Sequence, residues 1–367
     1  MIPVVDLRAQ YQNLKSEMDA AIEEVLREGS FIRGQACQLF ETEFAAFCGV
    51  SSACGVANGS DALFLALKAL GIGPGDEVIT TPFSFIATAE AISRNGARPV
   101  FADIDEKTMN LDPRAVASRL TEKTKAIIPV HLYGHPAPME DFARMSRDRK
   151  VAIVEDAAQA HGAEYQGKRA GALGDIACFS FYPTKNLSAA GDAGIVISND
   201  STLVERVRLL ANHGERSRYE HLLEGVSSRL DSLQAAILRV KLRHLNAWNE
   251  RRRQLATIYL QELEDVSALR LPRETPGCRS VYHQFTIRTK RREALRRHLE
   301  TNGIASAIHY PLPLHLQPAY ASLALEKGSF PVAERTAEEV LSLPIYPELS
   351  EPDVRRVAKK VRDFFST

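Results

Sequence analysis

Two charged residues, Asp156 and Lys185, follow strand-like runs near the middle of the chain. Asp156 comes after the apolar run 151–154, and Lys185 comes after the run 177–182 and a short turn. Ligands of open α/β sheets bind beyond the carboxyl ends of the strands, so Asp156 stands where a ligand-binding carboxylate is expected. Burial between two strands would lower the pKa of the Lys185 amine and free it as a nucleophile. Taken singly, Asp156 also fits a helix cap, and Lys185 fits an exposed loop residue.

The segment Asn58-Gly59-Ser60-Asp61 supplies a third chemical element. Gly59 permits a close approach, and Ser60 and Asp61 open a predicted helix. Free N–H groups at a helix start, a hydroxyl and the helix dipole together form an anion site, although an ordinary Ser or Asp N-cap is the commoner meaning of this pattern. Pyridoxal 5′-phosphate (PLP) requires a phosphate cradle, a carboxylate for its ring nitrogen and a Schiff-base lysine. The order of these three elements along the chain makes the pattern more specific than any one of them.

Short apolar runs alternate with helical patterns from residue 52 to about 200. This alternation predicts an α/β fold with a mainly parallel sheet covered by helices on both faces. Near-continuous apolar runs such as 151–154 fit strands that are buried on both sides. The predicted helices of this region are 62–70 and 86–94. The predicted strands are 77–81, 99–104, 126–131, 151–155, 177–182 and 194–198.

Further helical patterns lie on either side of this region. Two N-terminal helices are expected at 11–27 and 39–48, and a long helix is expected from Arg229 to about Leu263. Beyond it, the predicted elements are strands 283–288 and 304–309 and helices 292–301 and 351–364. The 367 residues exceed a typical domain of roughly 100–200 residues. We therefore expect a large PLP-binding domain at 1–245 and a smaller α+β domain at 246–367.

Charge and cysteine usage argue against several other classes of protein. The 46 Lys and Arg balance the 46 Asp and Glu, whereas nucleic-acid-binding proteins usually carry a basic excess. The N-terminus lacks a signal-peptide pattern, and no apolar run approaches the ~18 residues of a membrane helix, so we expect a cytoplasmic protein. The five cysteines match no metal or redox spacing. His131 and His135 have helical spacing, but Gly134 and Pro136 break any helix there, and no metal site is expected.

The ordered motifs of the chain resemble those of the DegT-type sugar aminotransferases. These enzymes are a branch of the fold-type I, aspartate aminotransferase-like PLP enzymes, and the resemblance covers nearly the whole chain. It implies a large domain with a mostly parallel seven-stranded sheet and a smaller C-terminal domain. The motifs are FIRG at 31–34, NGSDAL at 58–63, GDEVI at 75–79, PFSFIAT at 82–88, PVHLYG at 129–134, EDAAQAHG at 155–162, SFYPTKNL at 180–187, SRLDSLQAA at 228–236 and HYPLPLH at 309–315.

The resemblance implies a role for each residue of a cofactor site. Lys185 would form the Schiff base and then carry a proton between the substrate carbon and the cofactor. Asp156 would pair with the pyridinium nitrogen, and Gln159 would hydrogen-bond the phenolate oxygen. Phe85 would stack on one ring face, unless it is a core residue. The phosphate would be held by Gly59, Ser60, the Asp61 N–H and Ser180, although the Ser180 hydroxyl also fits a bond to the backbone.

Ser227 departs from the family pattern. An Asn commonly occupies this position and reaches the phosphate of the cofactor in the partner subunit, which implies a homodimer with shared active sites. A serine is shorter and lacks the amide donors. Either a water molecule bridges the remaining distance, or the contact is lost. Ser227 therefore stands among the candidate cofactor residues with both alternatives open.

Six further residues occupy family positions near the sugar or its diphosphate. The planar fork of an Arg suits a diphosphate, and a structural ion pair or hydrogen bond is the alternative for each position. Arg33 would reach into the neighbouring subunit. The candidate substrate residues are Arg33, Tyr182, Arg218, Arg229, His309 and Tyr310.

The motifs around Lys185 and Tyr310 look most like those of enzymes that aminate a 3-keto or 4-keto deoxysugar linked to dTDP, with the 3-keto group favoured. The implied reaction takes the amino group from L-glutamate by a ping-pong route through pyridoxamine 5′-phosphate (PMP). A keto-inositol (aminocyclitol) aminotransferase is an alternative within the family. A related dehydratase would replace the Schiff-base lysine with His, and a non-catalytic regulator would lose Lys185 or Asp156. The chain keeps both residues.

Overall fold

The structure is a computed structural model, and it describes residues 1–366. Its centre is a seven-stranded sheet, accompanied by three small sheets of two or three strands. In chain order, the strands are β1 Ser52–Val56, β2 Glu77–Thr80, β3 Arg98–Phe101, β4 Thr124–Ile128, β5 Ala152–Asp156, β6 Glu164–Tyr165, β7 Lys168–Arg169, β8 Ile176–Ser180, β9 Gly194–Ser198, β10 Glu215–Ser217, β11 Glu220–His221, β12 Cys278–Arg279, β13 Phe285–Arg288 and β14 Val340–Leu343.

Helices cover both faces of the large sheet and build most of the C-terminal part. Short 3₁₀ helices occur at Leu132–Gly134, Leu314–Leu316 and Pro318–Leu323. The α-helices are α1 Leu7–Glu28, α2 Gln35–Cys48, α3 Gly59–Ala69, α4 Ala87–Arg94, α5 Pro113–Ala117, α6 Met139–Arg149, α7 Ser201–Ala211, α8 Ser232–Leu263, α9 Arg292–Thr301, α10 Pro331–Glu339 and α11 Glu351–Ser366.

The large sheet has the strand order β1-β9-β8-β5-β4-β2-β3. Neighbours among β8, β5, β4, β2 and β3 run parallel, whereas β9 is antiparallel to both β8 and β1. The predicted seven-stranded, mostly parallel sheet is therefore confirmed. The sequence pattern missed β1, because the run Ser-Ala-Cys-Gly-Val contains small residues and only one β-branched side chain.

Two apolar layers bury the central strands of this sheet. On one face, α3 and α7 contribute Leu65 and Val207 to a core that includes Val154 of β5. On the other face, α2 and α8 contribute Phe44 and Leu238. Burial on both faces explains why these strands are almost continuously apolar. Strands β5 and β8 have their polar residues at their carboxyl ends, Glu155 and Asp156 on β5 and Ser180 on β8, where the sheet positions the site described below.

Helix α8 connects the large sheet to the C-terminal part through buried polar side chains. Lys241 donates a hydrogen bond to Ser188 Oγ (3.1 Å), and Ser188 lies in the loop after Lys185. Arg252, one of the buried residues of α8, donates to the Ile345 carbonyl (2.8 Å). Farther along α8, Tyr259 joins a core formed with β13, β14, α9 and α11. The boundary at 245/246 stays a prediction, and α8 crosses it without interruption.

The structure corrects three predicted elements. The segment 304–309 is not a strand: Ile304 forms a single bridge with Ile2, and Ala307 forms one with Ser342, so its apolar residues pack without a continuous ladder. Helix α2 begins at Gln35 rather than at residue 39, after an extended N-cap at Gly34. Helix α8 begins at Ser232 rather than at residue 229, because Asp231 is extended and bridges Ile32.

Candidate active site

Asp156 is the last residue of β5, at the carboxyl edge of the sheet. Its Oδ2 accepts a hydrogen bond from the Thr88 hydroxyl (2.7 Å), and its Oδ1 accepts one from the Ala158 N–H (3.2 Å). Burial raises the pKa of the carboxyl group, and the Thr88 hydrogen bond opposes that shift. The side chain is therefore held at the strand end as predicted, and it does not act as the cap of an α-helix.

Lys185 lies in the loop between β8 and β9, close enough to Asp156 for their charges to interact. Burial lowers the pKa of the Lys185 amine to about 8, and the Asp156 carboxylate opposes the shift. Three histidines also lie within electrostatic range of this amine: His161 and His283, which are buried, and His309, which is half-buried. Within residues 1–366, no hydrogen bond engages the Lys185 Nζ. The alternative of an ordinary exposed loop lysine does not fit this environment.

Gly59 brings the start of α3 directly against the end of β8. A Cβ atom at Gly59 would lie 2.5 Å from Ser180 Cβ, a distance that real contacts do not reach, so only glycine fits this contact. The Ser180 hydroxyl accepts a hydrogen bond from the Tyr182 N–H (3.3 Å). The narrow junction places the Ser180 side chain beside Gly59, the first residue of α3, and a hydroxyl at a helix start is one element of an anion site.

The N-cap of α3 is Asn58, so the alternative of an ordinary cap by Ser60 or Asp61 is wrong. Asn58 Oδ1 accepts a hydrogen bond from the Asp61 N–H (2.8 Å). That N–H was predicted to bind phosphate, and here it already has an acceptor. The Asp61 carboxylate accepts hydrogen bonds from Ser228 (2.9 Å) and from Arg94 (3.1 Å), so its role is to anchor neighbouring elements to the helix start.

The amide of Gln159 has a defined orientation. Its Oε1 accepts a hydrogen bond from the Tyr133 N–H (2.6 Å), and its Nε2 donates one to Tyr310 Oη (3.1 Å). Tyr133 has a left-handed backbone (φ 58°), and its own hydroxyl donates to the His309 carbonyl. The backbone therefore occupies the acceptor end of the Gln159 amide and leaves the donor end facing Tyr310, as a contact to a phenolate oxygen requires.

Two aromatic side chains at this edge are open to solvent. Phe85 is 55% exposed and its ring centre lies 6.1 Å from that of Tyr310, whereas Phe83 is the buried residue of the motif. The core alternative for Phe85 is therefore wrong. Tyr182 is 54% exposed.

Burial, and then the charge of Lys185, lower the pKa of His309 to about 4, so its imidazole is neutral at physiological pH.

The remaining candidates form a second group. Arg33 and Arg229 line a cavity of about 320 Å³. None of the candidate residues around Lys185 contributes to the lining of this cavity. Arg229 donates hydrogen bonds to Asn212 Oδ1 (3.0 Å) and to Ser227 Oγ (2.8 Å). Arg218 stacks on Tyr219 in an exposed hairpin (5.1 Å to the ring centre). Within residues 1–366, no hydrogen bond or ion pair joins these four predicted residues to Lys185, Asp156 or Gln159.

Sequence reasoning missed several residues that shape the site. Thr88 lies inside the motif PFSFIAT at 82–88. Its spacing of four residues from Ser84 could have indicated that the two hydroxyl groups contact each other. Asn186 had no local signal: it donates hydrogen bonds to Asn249 Oδ1 (2.9 Å) and to the Val281 carbonyl (3.0 Å), both far away in the sequence. These bonds fix the loop that carries Lys185 to α8 and to the C-terminal part.

The two histidines with metal-like spacing have separate partners. His131 pairs with Glu155, and His135 lies 3.2 Å from the Thr275 N–H. Across residues 1–366, no three His, Cys, Asp or Glu side chains are grouped so that they could hold a metal ion. None of the helices in the described part of the chain combines the length and apolar character needed to cross a membrane.

The site fits PLP on several independent features. The contact between Gly59 and Ser180 forms a cradle that any side chain at position 59 would fill. Asp156 offers a buried carboxylate, and Lys185 offers an amine with a lowered pKa beside it. The donor end of Gln159 and the open face of Phe85 complete a site for a flat anionic ring with a phosphate.

Comparison with known proteins places the chain in a family. The model of the DegT/DnrJ/EryC1/StrS aminotransferase family matches residues 12–362. This chain belongs to that family. It is 49% identical to a dTDP-3-amino-3,4,6-trideoxy-alpha-D-glucose transaminase of Streptomyces venezuelae, over 99% of this chain and 96% of the relative. It is 48% identical to a "pleiotropic regulatory protein" of Geobacillus stearothermophilus, over 99% and 98% of the two chains.

Solved structures agree with this family membership. Streptomyces venezuelae DesV, crystallised in complex with a ketimine intermediate, superposes with a TM-score of 0.98 at 48% identity, covering 100% of this chain and 99% of that one. NtdA of Bacillus subtilis, with bound cofactor PMP, gives a TM-score of 0.91 at 28% identity, covering 100% and 86%. The predictions of a fold-type I architecture, a PLP cofactor and an aminotransferase are confirmed.

Proposed function

We propose that this aminotransferase moves an amino group from L-glutamate to a nucleotide-linked 3-keto deoxysugar, with dTDP as the first nucleotide to test. The observation that carries the proposal is the 49% identity over 99% of this chain to a transaminase that is named for a dTDP-3-amino sugar. The 4-keto group stays a candidate, because the motifs around Lys185 and Tyr310 fit both positions of amination.

Lys185 is proposed as the group that moves the proton. Because burial lowers the pKa of its amine to about 8, protonated and free forms coexist near neutral pH, which suits a residue that must both take and return a proton. PLP, when bound, supplies a conjugated ring that accepts the electrons left on the substrate carbon. The loop bonds of Asn186 and Ser188 keep the Lys185 amine at this edge of the sheet.

We propose that the other cofactor residues bind and orient the cofactor and do not transfer a proton themselves. Asp156 would keep the ring nitrogen protonated, Gln159 Nε2 would donate to the phenolate oxygen, and Phe85 would cover one ring face, an arrangement worth roughly 0.5–1.5 kcal/mol for an aromatic pair. Gly59, Ser60 and Ser180 would hold the phosphate. Since Asn58 already engages the Asp61 N–H, phosphate binding there requires the Asn58 side chain to release that donor.

The second group of residues supports a homodimer with shared active sites. Tyr182, His309 and Tyr310 lie beside Lys185, so they can contact the sugar from the same chain. Arg33, Arg218 and Arg229 lie elsewhere on the chain, and we propose that they serve the active site of the partner subunit. Phe31 and Ile32, which directly precede Arg33, are exposed apolar residues. Contact with a partner subunit would remove their apolar surface from water.

Ser227 is proposed to act through Arg229 in this arrangement. Its hydroxyl oxygen accepts a hydrogen bond from the Arg229 guanidinium, so it orients that cation. Because this hydroxyl accepts a hydrogen bond from Arg229, its own proton is free to be donated to a phosphate or to a bridging water. The proposal leaves room for a water-mediated contact between Ser227 and the phosphate. A cytoplasmic location also stays a prediction.

A half-reaction screen tests the substrate assignment. The enzyme would be converted to its PMP form and mixed with 3-keto and 4-keto sugars linked to dTDP, UDP or GDP, and with keto-inositols, while the return of the PLP absorbance is followed. We expect the fastest return with a 3-keto dTDP-sugar. A return with keto-inositols alone would show that the protein is an aminocyclitol aminotransferase.

A regulator without catalysis is the second candidate, because one relative at 48% identity is named a regulatory protein. The presence of Lys185 beside Asp156 favours catalysis. Purified protein that binds PLP but transfers no amino group from L-glutamate to PLP would support the regulator instead.

A further inference from the structure

Thr88 makes the shortest hydrogen bond to Asp156. Its Oγ1 lies 2.7 Å from Asp156 Oδ2, and the Thr88 side chain is only 1% exposed. The partner of Thr88 is the carboxylate that we propose to pair with the ring nitrogen of PLP. A hydroxyl that binds this carboxylate from inside the protein can influence both its direction and its charge.

The direction of the hydrogen bonds in this cluster is fixed by the chemistry of the groups. An ionised carboxylate only accepts hydrogen bonds, so the single proton of the Thr88 hydroxyl must point to Asp156. Ser84 Oγ lies 2.9 Å from Thr88 Oγ1 and is also buried. Since Thr88 has already used its proton, Ser84 must donate to Thr88. The relay therefore runs from Ser84 to Thr88 and then to Asp156.

Phe85 stands between these two hydroxyl residues in the sequence and points to the opposite side. Ser84 and Thr88 are buried beneath the site, whereas Phe85 is exposed at its surface. One short segment at the start of α4 thus carries both the proposed stacking ring and the donor to Asp156. Because Phe85 and Thr88 lie on the same segment, the position of that segment sets both the plane of the Phe85 ring and the direction of the Asp156 carboxylate.

We propose that Thr88 is a positioning residue for the cofactor, which holds the Asp156 carboxylate ionised and aimed at the ring nitrogen, with Ser84 supporting its hydroxyl. Nothing in the family assignment gives Thr88 this role, and the inference rests on the proposed role of Asp156. Thr88 binds Oδ2 and Ala158 binds Oδ1, so the carboxylate cannot rotate freely. A fixed carboxylate meets the ring nitrogen without reorganisation.

The pKa of the Asp156 carboxyl group depends on this donor. Burial favours the neutral acid, and the Thr88 hydrogen bond is the largest contribution that opposes it. Hydrogen bonds to charged groups are stronger than those between neutral groups. Loss of the hydroxyl would therefore weaken the pairing with a protonated ring nitrogen, even though Thr88 does not touch the cofactor.

The test compares Thr88→Val, which removes the hydroxyl but keeps the shape, with Thr88→Ser, which keeps the hydroxyl. The readouts are the Kd for PLP, from absorbance titration of apoenzyme, and the pH dependence of that Kd. We expect Thr88→Val to weaken PLP binding by about tenfold or more, and Thr88→Ser to stay near the native value. Ser84→Ala should show a smaller effect in the same direction.

Thr336→Val is the matched control, because Thr336 is equally buried but its hydroxyl has no hydrogen-bond partner within residues 1–366. It should leave the Kd for PLP unchanged. If Thr88→Val does not fold, Ser84→Ala and Thr88→Ser carry the test. Equal PLP affinity and pH dependence in native, Thr88→Val and Ser84→Ala proteins would overturn the proposal.

A double-mutant cycle with Asp156→Asn separates this inference from the proposed function. If Thr88 acts through Asp156, Thr88→Val should have little further effect on the Kd in the Asp156→Asn background. An undiminished effect in that background would show that Thr88 is merely structural. If Asp156→Asn itself binds PLP as tightly as the native enzyme, the proposed role of Asp156 fails, and the positioning role of Thr88 fails with it.

Discussion

His131 Nε2 donates a hydrogen bond to Glu155 Oε2 over 2.9 Å, and both side chains are fully buried. The Ala137 N–H donates to His131 Nδ1 (3.0 Å), which fixes Nε2 as the donor. Glu155 also accepts hydrogen bonds from three backbone N–H groups, those of Gly171, Leu173 and Gly174. Glu155 directly precedes Asp156 in β5, so its pairing with His131 anchors the strand end that carries the proposed cofactor carboxylate.

Replacing Glu155 with Ala should destabilise the protein strongly. The substitution leaves three backbone donors and His131 without their acceptor in the interior, which typically costs roughly 3–5 kcal/mol of unfolding free energy. Urea unfolding measures the change. Glu338→Ala, which breaks an exposed pair with Lys327, is the control and should cost no more than about 1 kcal/mol. Similar losses for the two variants would contradict the anchoring role of Glu155.

Lys185→Ala should lower the rate of amino transfer by at least roughly 10²–10⁴-fold, because the residue that moves the proton is lost. Steady-state kinetics with L-glutamate measures the loss. Borohydride treatment of PLP-loaded native enzyme, followed by peptide mass spectrometry, should place the label on Lys185. Lys241 is a stringent control, since it is another buried lysine whose pKa burial lowers to about 8. Labelling at Lys241 instead would refute the assignment.

The rate at which apoenzyme captures PLP covalently should depend on the Lys185 amine. The free amine is the nucleophile, so the rate should rise with pH and level off above about 8. Asp156 raises the pKa of this amine by its negative charge, so Asp156→Asn should move the midpoint to lower pH. Stopped-flow absorbance measures both profiles. A midpoint near the ordinary lysine value would mean that burial does not activate Lys185.

Gly59→Ala should weaken PLP binding and stability together, because its Cβ would lie 2.5 Å from Ser180 Cβ. Crowding of this kind usually costs roughly 1–3 kcal/mol. Adding Ser180→Gly removes the clashing atom, so the double variant should recover part of the lost stability in thermal unfolding. It should not recover full PLP affinity, since the Ser180 hydroxyl is gone. No recovery of stability would show that the contact between the two residues is not the cause.

Mixing two inactive variants tests whether active sites are shared. If Arg229 serves the active site of the partner subunit, Lys185→Ala and Arg229→Ala homodimers should both be inactive. After subunit exchange, a mixed dimer holds one site with both native residues, so part of the activity should return. A mixture of Lys185→Ala with Lys185→Arg is the control and should stay inactive. No recovery despite proven exchange would place Arg229 in its own subunit's site or outside the machinery.

Much of the fold could be predicted because local patterns encode it. The apolar runs of β5 and β9 are buried on both faces and therefore stand out in the sequence, whereas β1 was missed because its small residues carry little strand preference. The segment 304–309 was predicted to be a strand, but its neighbours offer only single bridges. Whether an extended segment becomes a strand depends on its partner, which lies elsewhere in the chain.

The sequence by itself determined which groups are available: the order Gly59, Asp156 and Lys185 indicated a PLP enzyme, and family membership confirmed that class. Only the tertiary structure decided how these residues are held. It placed Thr88 on Asp156 and the Tyr133 N–H on Gln159, and it paired Arg229 with Asn212 and Ser227. The physical reason is that spacing along the chain specifies which groups are available, whereas burial and hydrogen bonds between distant segments set their direction and charge.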